Sequence, residues 1–167
     1  MRTYFILLIS ILLYSSCSEC TCKLGVKNVE VIQSVYSEFA TGNIEGVTAN
    51  FSSNIEWNEA ENYIYADNNP YIGADAIIQG VFGRVGGEWN GFSASPQSIM
   101  PVGTNHVLAT GRYKGEYKAT GKSLDAQFAH LWKVEEGEVT GFQQYTDTKQ
   151  AAEVATPDVV VEEEEME

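Results

Sequence analysis

Basic residues are scarce in this chain. Ten Lys and Arg stand against 23 Asp and Glu in 167 residues, a formal net charge of −13. Phosphate contacts need clustered cations, which argues against a general nucleic-acid binder and against charge-driven adhesion to anionic lipid. Cysteine is missing from the body: Cys17, Cys20 and Cys22 are the only three. No disulfide therefore staples the core, and no cysteine nucleophile serves a site there. Cys20 and Cys22 have poor metal spacing and no His beside them. Only His106 and His130 are present, so a metal site would have to recruit Asp147 and Glu59, and none is expected. A phosphate-binding glycine loop, a dinucleotide glycine fingerprint and a Ser-His-Asp signature are all absent, and no cofactor is expected.

What is present divides the chain into three parts. Residues 1–22 read as a targeting segment. Arg2 precedes the 11-residue apolar run Tyr4 to Tyr14, too short to span a bilayer comfortably and suited to a signal core. Ser15-Ser16-Cys17 then resembles a bacterial lipobox with Tyr14 where Leu is usual, which makes Cys17 the candidate lipidation site. Ordinary cleavage near Ser16 or Ser18, and an uncleaved anchor, are the alternatives. The expected location is the cell envelope, as a membrane-anchored lipoprotein or else periplasmic or secreted, with the membrane contacted only through the lipid. Residues 23–148 read as one domain. Residues 149–167 carry seven acids against Lys149 and end in a like-charge run, the pattern of a disordered acidic tail.

Within the domain the apolar period changes once. Val29, Ile32, Val35, Tyr36 and Phe39 recur at helical steps, predicting a helix over Lys27–Thr41 that Gly42-Asn43 ends. Asn43 can cap a short helix from Ile44 to Phe51. Ile55-Glu56-Trp57 reads as a strand, Asn58–Tyr71 as a loop, and Ala74–Arg84 as a third helix ended by Gly86-Gly87. After that the period is two. Strands are expected over Phe92–Met100, His106–Tyr117, Leu124–Val134 and Val139–Thr148, joined by short turns as an antiparallel meander. Helices first and strands last is an α+β order, with about three helices packed on a curved, mostly antiparallel sheet that encloses a pocket.

The residues Tyr36 to Val47, Ile55 to Trp57, Tyr71 to Ile77, Gly111-Arg112-Tyr113, Phe128 to Val134, Gly137 to Val139 and Phe142 to Thr148 together resemble the SnoaL-like branch of the NTF2-like superfamily, the cone-shaped fold shared with ketosteroid isomerase. The resemblance covers about residues 28–150. It implies the cone, and a homodimer formed through one sheet face. It does not name an activity, because one fold hosts many functions. The isomerase needs a carboxylate base, with a Tyr and a protonated Asp at the oxyanion. The alignment puts Trp57 at the base, Val35 at the Tyr, and His130 at or beside the Asp. Steroid isomerisation by that route is therefore not expected.

The candidate catalytic residues are His130, Asp147 and Glu59. His130 lies on an otherwise apolar strand face with Leu124, Ala126, Phe128, Trp132 and Val134. Asp147 ends the last strand, where family cyclases place an acid, or is a solvated strand-end carboxylate. Glu59 lies on the loop that passes the cavity mouth in this fold. Trp57, Tyr63, Tyr65, Trp132 and Tyr145 are candidate ligand walls. Arg112 is a candidate for an anionic ligand or for pairing with nearby acids. Two functions fit: an exported cone that binds a small hydrophobic molecule, or a cofactor-free acid–base enzyme (isomerase, cyclase, dehydratase or lyase) on such a molecule.

Overall fold

The structure, a computed structural model, describes residues 25–158. The expected signal segment, Cys17 and the terminal run of glutamates lie outside the described residues.

Helix α1 occupies residues 25–41 and buries Ile32, Val35 and Tyr36. Gly42 ends it with φ of 75°, a left-handed conformation that favours glycine. Asn43 caps α2 (Ile44–Thr48) by accepting a hydrogen bond from the Gly46 N–H at 3.1 Å. Strand β1 (Phe51–Asn58) leads to a loop with a 3-10 turn at Ala66–Asn68, then the two-residue strand β2 (Tyr71–Ile72).

The third helical segment differs from its expectation. It runs as α3 (Ala74–Ile77), a π-helical turn (Ile78–Phe82) and α4 (Gly83–Glu88). Gly86-Gly87 does not stop it, because Lys118 caps its end: the Lys118 Nζ donates to the Gly87 carbonyl at 2.8 Å and its backbone N–H to the Glu88 carbonyl at 2.9 Å. Gly80 sits in the π turn, where a Cβ would run into the Tyr71 ring. The glycine that weakens the helix is what lets that ring pack against it.

Strands β3 (Trp89–Val102), β4 (His106–Tyr117), β5 (Ser123–Glu135) and β6 (Glu138–Thr146) form the expected antiparallel meander. The full sheet order is β2-β1-β6-β5-β4-β3, with β1 parallel to β6. Register shifts in β3 at Asn90/Ser93 and Pro96/Ser98 interrupt the ladder, and such bulges bend a sheet. Gly111 on β4 permits the close approach there: a Cβ would meet the Ser95 carbonyl and the Phe128 ring. The inward faces and the helices enclose one aromatic-rich core.

The expected boundary at residue 148 moves. Thr148–Ala155 is a helix, α5, with Ala151 and Val154 buried. Asp147 caps it, Oδ1 accepting from the Gln150 N–H at 3.0 Å. The Thr120 hydroxyl donates to the Val154 carbonyl at 2.6 Å. Two buried residues three apart are too short a period to stand out in an acidic segment. Residues 149–155 thus belong to the domain rather than to an acidic tail.

Candidate functional site

The inward face of the sheet and the helices leave a cavity of about 60 Å³. A single water needs roughly 10–15 Å³, so the space as it stands suits a few waters, and a ring needs its walls to move apart. Side chains from α1, β1, β4, β5 and β6 converge on it. Its walls are mainly rings: Trp57 and Phe142 stack at 3.7 Å between centroids, and Trp132 lies 4.5 Å from Phe142.

The polar groups form two sets. The first centres on His130, which is 4% exposed. The Tyr36 hydroxyl lies 2.7 Å from Nδ1 and the Tyr113 hydroxyl 2.5 Å from Nε2. Trp132 Nε1 donates to the Tyr36 oxygen at 3.2 Å, and Gln144 Nε2 donates to the Tyr113 oxygen at 2.9 Å. Gln144 is itself oriented, because its Oε1 accepts from the Ala60 N–H at 3.1 Å. Burial pushes the His130 imidazole down to about 3, so the ring is neutral. Burial also raises both tyrosine hydroxyls above their ordinary value.

The second set is Glu59, just past the end of β1 and 2% exposed. Trp57 Nε1 donates to its Oε1 at 2.6 Å. Its Oε2 is buried without a partner. Burial pushes this carboxyl up to about 7, and the Trp57 indole and the Gln144 amide only partly offset that. The backbone is pinned by Asn69, whose Oδ1 accepts from the Glu59 N–H at 3.0 Å and whose Nδ2 donates to the Glu59 carbonyl at 2.7 Å. Tyr65 is fixed from the far side: its hydroxyl donates to Glu88 at 2.9 Å and accepts from Trp89 Nε1 at 2.8 Å.

The structure brings together His130, Glu59, Trp57, Tyr63, Tyr65 and Trp132 at the cavity. It does not bring Asp147, Tyr145 or Arg112 there. Asp147 is spent on the α5 cap. Tyr145 follows Gln144 on β6, so the alternation of a strand turns it outward, and it is 56% exposed. Arg112 lies on the outer face of β4, where Nε donates to Asp125 Oδ1 at 2.6 Å. That pairing uses an acid of the neighbouring strand.

Tyr36, Tyr113 and Gln144 are the site residues that sequence reasoning missed. Tyr36 adjoins Val35, the aligned position, on the same buried helix face. Tyr113 and Gln144 are polar groups in the inward registers of β4 and β6, beside Ala109 and Phe142. Assigning the inward face of each strand before ranking its polar residues would have found both. Among the described residues no group of three or more His, Cys, Asp or Glu could hold a metal.

Comparison with known proteins agrees with this architecture. The SnoaL-like domain profile matches residues 32–142. An NTF2-like protein from Burkholderia thailandensis is 32% identical, with a TM-score of 0.74 over 78% of this chain and 98% of that one. Bal32a, from a soil-derived mobile gene cassette, is 25% identical, with a TM-score of 0.71 over 78% and 98%. TerC, co-crystallised with polyporic acid, is 22% identical, with a TM-score of 0.69 over 77% and 97%. No curated protein matches.

Proposed function

The chain belongs to the SnoaL-like family of NTF2-like proteins, and from that premise we propose that it binds a small, ring-sized hydrophobic molecule in its cone without acting as a steroid isomerase. The observation that carries this reading is the cavity itself, walled by aromatic faces with few polar atoms. Such a lining favours apolar ligands, and a few placed polar groups orient them. TerC, crystallised with polyporic acid, supports the same use of the fold. The isomerase roles lack their residues: Trp57 and Val35 carry no proton-transfer group. The His130 nitrogens are both engaged by tyrosine hydroxyls, which leaves neither lone pair nor N–H for a substrate. Native mass spectrometry of the purified domain is expected to retain a bound small molecule or an added aromatic ring. A domain that binds neither contradicts the proposal.

One observation favours the enzyme as a second reading. Glu59 Oε2 is unpartnered among the walls, and its carboxyl titrates at about 7, the range a general base needs. In that case Glu59→Gln abolishes turnover and spares binding.

The export and assembly readings extend the proposal. Cys17→Ala is expected to release the protein from the membrane fraction, since a lipid chain is the proposed tether. Sedimentation at tens of micromolar is expected to give a homodimer, and a monomer there removes that part.

A further inference from the structure

Counting hydrogens around His130 exposes a donor with nowhere to go. Two contacts join the imidazole to Tyr36 and Tyr113, and each uses one hydrogen. A neutral imidazole carries one N–H, and the two phenols carry one O–H each, so three hydrogens serve two contacts. The ring nitrogen without hydrogen accepts from one tyrosine. The nitrogen with hydrogen donates to the other tyrosine, whose own O–H is then left over. A charged imidazole would leave two over, so the count never falls below one. The leftover hydrogen cannot go to the remaining neighbours of the phenol oxygens, because Trp132 Nε1 and Gln144 Nε2 are themselves donors there. The Ala60 N–H holds Gln144 in that orientation.

Both tyrosines line the cavity. A phenolic O–H in a ring-walled space, with no protein acceptor bonded to it (the unpartnered Glu59 Oε2 lines the same cavity but bonds to neither phenol), costs free energy until something accepts it. We propose that the Tyr36–His130–Tyr113 chain offers the cavity one phenolic hydrogen, and that the site therefore selects ring-sized ligands bearing an uncharged oxygen acceptor, of the carbonyl or ether class. The His130 tautomer decides which tyrosine offers it. With hydrogen on Nδ1 the free O–H belongs to Tyr36, and with hydrogen on Nε2 it belongs to Tyr113. This rests on the reading that the cavity binds a ligand, and adds to it the chemistry at one end.

The test uses two probes of similar shape, ethylbenzene and acetophenone, titrated into the purified protein by NMR. Acetophenone is expected to bind about tenfold more tightly, the worth of one hydrogen bond in a dry site. Each of Tyr36→Phe and Tyr113→Phe still leaves two hydrogens for one contact, so the preference is expected to persist in both, while the bound carbonyl stretch moves from its wild-type position in the variant that loses the donating phenol. An infrared spectrum of acetophenone bound to the wild-type protein needs no variant to fold. Its carbonyl stretch is expected below the position seen in an alkane solvent. Equal binding of the two probes, or a carbonyl stretch at the alkane position, overturns the inference and leaves the binding reading standing. A bound carbonyl stretch that neither substitution moves overturns the assignment to the tyrosines. If neither probe binds, the proposed function falls and the inference falls with it.

Discussion

Raising the pH from about 4.5 to about 7 is expected to remove about 3 kcal/mol of unfolding free energy through Glu59 alone. The sign follows from the direction of the shift. Burial lifts this carboxyl from the ordinary 4.5 to about 7 in the folded protein. Below 4.5 it is protonated in both states and costs nothing. Between 4.5 and 7 the unfolded chain loses the proton while the folded chain retains it, so stability falls as pH rises, and above 7 the loss is complete. The cause is geometric. Oε1 has one donor, Trp57 Nε1, at 2.6 Å, and Oε2 has none. No cation is paired with this carboxylate among the described residues. Glu59→Gln keeps the shape and the bond from Trp57 and removes the titration. Its urea-denaturation free energy, measured at several pH values, is expected to lack the downward slope that Glu59 contributes between 4.5 and 7. A variant with the same slope as the wild-type protein would place the carboxyl in contact with water.

Glu59 also shows where the sequence was legible and where it was not. The helices and strands followed from period and punctuation, because a buried face must repeat at the spacing of its element. Gly42, Asn43 and the even-numbered face of β5 are where that logic placed them. The loop after β1 has no period, so from sequence Glu59 reads more readily as a solvated loop acid than as a buried base. Its burial comes from Asn69, ten residues away, and from Trp57, contacts that only the folded chain brings together. Asp147 erred in the other direction. An acid followed by Thr148-Lys149-Gln150 is also the start of a helix, and the cap claims the carboxylate that the strand reading assigned to chemistry. The π turn at Ile78–Phe82 left no mark, because it depends on the ring of Tyr71 packing at Gly80.

His130→Ala is expected to cost about 3–5 kcal/mol of stability, the range for emptying a ring-sized core position with two hydrogen-bond partners left behind. The ring is stacked on Phe128 at 4.0 Å and lies edge-on to Phe142 at 4.9 Å, so its volume matters as much as its nitrogens. His130→Phe separates the two contributions. It refills the space and removes only the bonds to Tyr36 and Tyr113, for an expected loss of about 1–3 kcal/mol. The pH dependence gives a second readout. Burial holds the folded imidazole at about 3 against an ordinary 6.5. The stability it contributes is present above 6.5 and is lost as pH falls toward 3, by about 4–5 kcal/mol in all. Between about 4.5 and 6.5 this loss on acidification runs against the gain from Glu59, so the two contributions nearly cancel in the wild-type protein. Each substitution should uncover the other group: His130→Phe gains stability on acidification through that window, and Glu59→Gln loses it. Chemical denaturation of both variants at pH 4.5, 5.5 and 6.5 reads the two slopes, and slopes of the same sign would show that the two groups are not buried with opposite charge preferences.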